Sequence, residues 1–345
     1  MTVKTVCFAV AALTSAAVLG APAGLKADPV ADFYKGKQLR MFIGFGVGGA
    51  NDVWGRAVAR HMAKYLPGNP SVIVQHMPGA GSMRLTNYLA NVAPGDGTHM
   101  GIIARGVLMD PLFKVKGADF DPTRITLIGT PALETTVCAV RTGLPHNSIE
   151  SFFEHETIVG TGGGGSETNL APLTLRNVLG MKFKIVAGYT SGGTDVALAI
   201  ERKELQGICI GYETLSNLAL YKDGGIKAHF VVSVNPDPAL KHLPNVFSYK
   251  MTDEQRMLMR VTFAREPFGR PFIAPPSVPA ERVEALRKAF DATMTDPEFL
   301  AEAGKASMDI KPLAGEALQS LASEVAQAPA QGLTRAKQLI GRTGQ

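Results

Sequence analysis

Met41-Phe42-Ile43-Gly44-Phe45-Gly46-Val47-Gly48-Gly49-Ala50-Asn51-Asp52 is an apolar strand that runs into a glycine turn, with a helix opening straight after it. Val53, Trp54, Ala57, Val58, His61, Met62, Tyr65 and Leu66 fall on one helical face, and Arg56, Arg60 and Lys64 on the other. Asn51 or Asp52 is the expected N-cap, because its side-chain oxygen can accept from the free N–H groups of the first turn. A glycine turn feeding a helix N-terminus aims several N–H donors at one point and is a ready anion site. The expected occupant is a carboxylate.

The same residues offer a rival reading. Gly44-x-Gly46-x-x-Gly49 matches the dinucleotide fingerprint, correctly placed between strand and helix. That fold wants an acid at the end of the next strand, whereas Val72-Ile73-Val74 ends in Gln75-His76. No cofactor is expected.

Towards the N-terminus, Lys4 precedes an apolar run from Val6 to Leu19, and Ala21-Pro22-Ala23 and Leu25-Lys26-Ala27 both fit a signal-peptidase site. Residues 1–27 therefore read as a cleavable secretory signal, and the mature chain as exported, with no membrane-spanning stretch. Cys138 and Cys209 remain after cleavage. In an oxidising compartment they either pair or stay as two buried thiols, and the sequence leaves both open. Cleavage also removes Lys4 and Lys26, taking the net charge from +5 to +3. The remaining positive charges are interspersed with acids, which suits an anionic small ligand and speaks against nucleic acid. Roughly 318 residues exceed one compact core, so two lobes are expected.

Towards the C-terminus, strand and helix patterns alternate, which implies open, mostly parallel sheets with ligands bound beyond the carboxyl ends of the strands. Ala104-Arg105-Gly106 lies at such an end, and Arg105 is a candidate partner for a second carboxylate. A second unit repeats the first: Thr157-Ile158-Val159 runs into Gly160 to Asn169, with four glycines at 162–165, and a helix follows. Such a glycine run can also be a flexible linker. Gly188 to Asp195 is a further glycine turn opening a helix. Tyr212 and Glu213 follow another strand end. From Pro271 a last strand and three helices return to the first lobe. His61 reads as a core histidine. Neither a Gly-x-Ser-x-Gly elbow nor a His-Glu-x-x-His zinc pattern occurs. Ser82 and Ser166 sit in the wrong contexts for a nucleophile, so catalysis is not expected. A secreted hydrolase, a dinucleotide-dependent oxidoreductase and a carboxylate sensor for a signalling partner remain the alternatives.

Gly48-Gly49-Ala50-Asn51-Asp52, Met77-Pro78-Gly79-Ala80-Gly81, Asp96-Gly97-Thr98, Gly188-Tyr189-Thr190-Ser191-Gly192 and Ala274-Pro275-Pro276-Ser277-Val278-Pro279 together resemble the periplasmic receptors of tripartite tricarboxylate transporters, the Bug family. The resemblance implies a two-lobed Venus-flytrap α/β fold of type II-like topology, each lobe a mostly parallel sheet flanked by helices. It puts lobe 1 at 32–134 plus 252–345 and lobe 2 at 135–251. It further implies a monomeric periplasmic protein that closes on a small organic acid and delivers it to membrane permease subunits. Carried over to this chain, the ligand loops are 46–52 and 162–168. The candidate contacts are Gly46, Val47, Gly48, Gly49, Ala50, Asn51, Asp52, Arg105, Gly163, Gly164, Gly165, Ser166, Thr168, Tyr189, Gly192 and Glu213. Arg105 and the Glu201-Arg202-Lys203-Glu204 run depart from the family pattern, which bears on which acid is bound.

Overall fold

A computed structural model describes residues 1–2, 28–162, 166–234, 236–327, 334 and 338. The expected signal segment, apart from Met1 and Thr2, lies outside the described residues, as do Gly163, Gly164 and Gly165. In chain order the elements of the first half are α1 (Pro29–Tyr34), β1 (Gln38–Ile43), α2 (Ala50–Met62), β2 (Ser71–His76), α3 (Met83–Asn91), β3 (His99–Ile102), β4 (Thr126–Thr130), β5 (Thr136–Arg141), α4 (Ser151–Glu154) and β6 (Thr157–Thr161). There follow α5 (Glu167–Thr174), β7 (Phe183–Ala187), α6 (Gly193–Glu201), β8 (Gly207–Gly211), α7 (Tyr212–Asn217), α8 (Ala219–Lys222) and β9 (Ile226–Val232). The last are α9 (Asp253–Phe263), β10 (Phe272–Ala274), α10 (Ala280–Met294), α11 (Pro297–Lys305), β11 (Leu313–Ala314) and α12 (Gly315–Ala326).

The strands form two sheets, ordered β11-β4-β10-β3-β1-β2 and β7-β6-β8-β5-β9. Each holds a parallel trio, β2-β1-β3 in the first and β7-β6-β8 in the second. The strand by which the chain enters each sheet from the other, β10 or β5, runs antiparallel to its trio. The α/β two-lobed reading holds, and the sheets taken whole are mixed.

Alternation along the strands fills both faces. Leu39, Met41 and Ile43 of β1 pack with Trp54, Val58 and Met62 of α2 and with Phe290 and Phe299. Phe42 points the other way, to Leu85, Leu89, Ile273 and Leu318. On β5, Val137 and Ala139 meet Val196 and Ile200 of α6, while Cys138 and Val140 meet Leu170, Phe230 and the α9 side chains Leu258, Met259 and Phe263. Helix α9 thus packs on the second sheet, although it follows β9. Cys138 and Cys209 lie directly opposite on β5 and β8 and form a disulfide. His61 sits at the rim of the first core, its ring nitrogens against Asp296 and Glu302 at 3.2 and 2.9 Å.

Candidate functional site

The two lobes are tied by the segments 131–135 and 233–271, and the site lies between them. At its floor, β1 ends against β3, with the Gly44 N–H donating to the Ile102 carbonyl (3.1 Å). A Cβ on Gly44 would stand 2.4 Å from the Ser82 Cβ, so the turn passes where no side chain fits. Helix α2 then starts with Gly49 as its N-cap, and no side chain caps it. The expected cap at Asn51 or Asp52 is displaced. Both residues lie inside the first turn, and the Asp52 carboxylate reaches back to accept from the Gly48 N–H (2.9 Å). Asp52 also faces Arg56 Nε and His76 Nε2, each at 2.7 Å. Burial pushes the Asp52 carboxyl up, but these hydrogen bonds together hold it below the usual carboxylate range.

The third glycine turn repeats the device. Ser191 donates its N–H to Asp195 Oδ2 (2.8 Å), and α6 begins after Gly192, whose φ is +66°. The two turns meet face to face. The Gly46 N–H donates to Thr190 O, Ser191 Oγ to Val47 O and Thr194 Oγ1 to Gly48 O, each at 3.4 Å. A Cβ on Gly49 would lie 2.6 Å from Ser191 O. The lobes are closed.

Behind this seam is a cavity of about 80 Å³, on the scale of several water molecules. Of the sequence-derived candidates, Gly49, Ala50, Asn51, Arg105, Ser166, Thr168 and Gly192 line it. Gly46, Val47 and Gly48 form the seam in front, and Val47 is 66% exposed. Asp52 is turned away towards Arg56 and His76. Tyr189 packs beside the α6 core, and Glu213 stands behind the wall on Trp54 and Arg270. Thr168 Oγ1 accepts from the Gly162 N–H (3.0 Å), which fixes the start of α5.

The wall also holds charges that sequence reading missed. Arg270 at the start of β10 donates through Nη1 to Asn51 Oδ1 (2.9 Å), and through Nη2 to Glu134 Oε1 (2.6 Å), Glu213 Oε2 (3.2 Å) and Thr214 Oγ1 (2.9 Å). Arg105 is buried; its Nε meets Glu167 Oε2 at 3.0 Å, Nη1 the Glu134 carbonyl at 2.7 Å and Nη2 Thr136 Oγ1 at 2.8 Å. Its guanidinium therefore joins first-lobe loop to second-lobe helix, where a second-carboxylate contact was expected. Burial pushes Glu167 up, but Arg105 and Arg265 outweigh it and bring the carboxyl to about 2. Arg265, 0% exposed, lies behind Glu167 with Nε 4.0 Å away. Nearby, burial raises Asp110 and Glu266 to about 7. Glu266 Oε2 accepts from Ser233 Oγ (3.0 Å) and the Val234 N–H (2.9 Å), fastening the two ends of the longer connection. The sequence signal for Arg270 was its place just before a strand. Because β10 runs against β3, that start lies at the same edge as the carboxyl ends of the parallel trio.

Elsewhere, His61, Asp296 and Glu298 have metal-like spacing, but Lys64 Nζ already sits 2.7 Å from both carboxylates as the cation of that cluster. Ser82, set by its sequence context apart from any nucleophile elbow, is fully buried and accepts from the Ala104 N–H (2.8 Å). Among the described residues no helix is long and apolar enough to cross a membrane.

Two sheets joined by two crossings, closed over a small polar cleft, define a solute-binding fold. Residues 55–344 match the family described as the tripartite tricarboxylate transporter family receptor, and the chain belongs to that family. A UPF0065 protein of Bordetella pertussis is 25% identical over 277 residues, 78% of this chain and 80% of that one. The periplasmic binding protein BugD shares the fold at 22% identity and a TM-score of 0.67, over 88% of this chain and 98% of its own. MatC of Rhodopseudomonas palustris, solved with bound malate, is 18% identical with a TM-score of 0.68, over 88% and 99%.

Proposed function

We propose that the chain is a periplasmic receptor that captures a small organic carboxylate between its lobes, without catalysis, and hands it to membrane permease subunits of a tripartite transporter. The observation that carries this reading is the uncapped N-terminus of α2, whose first N–H groups have no intrahelical acceptor and border the closed cleft. A carboxylate there gains about 0.3–1 kcal/mol from the helix dipole, rising to about 2 when partly buried. Each charge-assisted hydrogen bond adds about 1.5–3 kcal/mol. A few such bonds reach the roughly −8 kcal/mol of micromolar affinity. The malate held by a protein of the same fold supports the ligand class. We divide the lobes at 32–134 with 252–345 and at 135–251, with α9 packed across onto the second. The ligand touches both lobes, so it binds the closed form better and shifts the population towards it.

A thermal-shift screen of residues 28–345 against mono-, di- and tricarboxylates tests the reading. One acid should give a saturable rise in Tm, as a ligand of the folded state alone does. Silence from every carboxylate, with a response to a nucleotide, would restore the fingerprint at Gly44 and overturn the receptor.

A further inference from the structure

The two connections between the lobes line a second hollow, apart from the cleft. It is a groove of about 680 Å³, built from residues 133–135, from Ser233 to Pro238, from the end of α9 with the turn after it, and from Lys311. That volume suits a small molecule. The walls are mainly apolar. Leu133 and Val234 line it from the two different connections and are 44% and 36% exposed, with Pro236 beside them and the buried Phe263 at the floor. Large apolar side chains left in water around one groove mark a binding surface.

Of the charged side chains on these walls, one has no partner. Asp237 is matched by Lys311 (2.6 Å), which also holds Asp309 (2.7 Å), and Glu134 is matched by Arg270 (2.6 Å). Glu266 accepts from Ser233 and Val234, and burial raises its carboxyl to about 7, so near neutrality it is protonated in part and repels an anion weakly. Arg260 of α9 is exposed and makes no hydrogen bond or ion pair among the described residues. A fixed apolar surface thus ends in one uncommitted guanidinium at the rim. Its complement is an apolar chain with an anionic head.

We infer that this groove binds an amphipathic carboxylate of fatty-acid type, with its chain along Leu133, Val234, Pro236 and Phe263 and its carboxylate on Arg260. The site goes beyond the receptor reading and does not rest on it. An occupant touches both connections at once and ties them together at their present spacing. Glu134 lines groove and cleft alike, which puts that occupant one side chain away from the cleft.

Calorimetric titration of the protein with butyrate, hexanoate and octanoate tests this. Affinity should rise about two- to fourfold for each added methylene, as a buried chain requires. Octanol has the same chain and no charge. Arg260→Gln should weaken octanoate about two- to fivefold, the worth of an exposed ion pair, and leave octanol unchanged. Leu133→Asp places a charge in the path of the chain and should weaken both at least about tenfold. Both positions are exposed, and circular dichroism establishes that the variants fold. Octanoate should also slow hydrogen exchange at the Val234 and Asp237 amides, which donate to Glu266 Oε2 and Thr135 Oγ1 within the groove. No gain with chain length, an Arg260→Gln variant that binds octanoate like wild type, or protection at 46–52 and 188–193 instead would overturn the inference. So would silence from octanoate in a protein that self-associates in sedimentation until Leu133→Asp is introduced, because the groove would then serve a second copy of the chain. Each of these outcomes leaves the receptor reading standing.

Discussion

Two helix starts in this molecule are built by one device and put to different uses. In α2 and in α6 the third helical residue is an aspartate that reaches back four positions to a turn N–H: Asp52 to Gly48, and Asp195 to Ser191. Around Asp52 the device is buried and reinforced by Arg56 and His76; Asp195 is half-buried and has no such partners among the described residues. The space around the neighbouring glycines differs too. Gly49 faces Ser191 O, whereas a Cβ on Gly192 would meet nothing within 4 Å. The same local geometry yields a rigid floor on one lobe and a more open rim on the other. Neighbours decide which glycine and which aspartate matter.

Gly49→Leu should break the contrast most sharply. Its Cβ collides with the opposing backbone, so the lobes cannot close and the carboxylate cannot reach the amides. Losing two charge-assisted bonds predicts an affinity drop on the order of 100-fold or more by titration. Gly192→Ala should bind within a few-fold of wild type and cost about 1 kcal/mol of stability, because its φ is +66°. Equal losses at the two glycines would mean that the lobes meet differently. Next in size, Asp52→Ala strands the Gly48 N–H, the Arg56 guanidinium and the His76 ring and should cost about 2–3 kcal/mol in denaturant unfolding. The matched Asp195→Ala should cost about 1 kcal/mol or less. The smallest effect is on pH. Asp110 and Glu266 titrate near 7 when folded, against 3.8 and 4.5 otherwise. The folded chain then holds protons that the unfolded chain releases. The stability they lend is whole below about pH 4 and is lost as pH rises through 7. Melting temperatures should fall as pH rises from 5 to 8. Glu266→Gln should flatten that slope.

What could be read from the sequence was whatever had a period or a glycine signature. The strand over 38–45 and the glycine turns at 46–49 and 188–193 were legible, but the seam that these two turns form was not, because the family resemblance pairs loop 46–52 with loop 162–168. The cap of α2 was misplaced because spacing cannot tell a cap from an aspartate that folds back on its own turn. Arg105 was correctly put at a strand end, but the partner that claims it, Glu167, comes from a helix 62 residues away. Arg270 and Glu134 stayed hidden because they sit in aperiodic connections. Only the reversed direction of β10 brings Arg270 to the cleft. Charge pairing across lobes is a property of the closed shape, and no local pattern records it.

The disulfide bears on how the chain assembles. Cys138 and Cys209 are 71 residues apart and lie wholly within the stretch that interrupts the first sheet. In the chain-entropy account, closing a loop of that length removes about 4 kcal/mol of freedom from the unfolded ensemble. The first sheet needs β10 and β11 from beyond that stretch to join β3 and β4 from before it. Once oxidised, the inserted sheet becomes a short spacer, and the two distant parts of the first search a much smaller volume for each other. The expected order of folding is therefore the inserted lobe first and the surrounding one second. Hydrogen exchange pulsed during refolding, with and without reductant, reads that order directly.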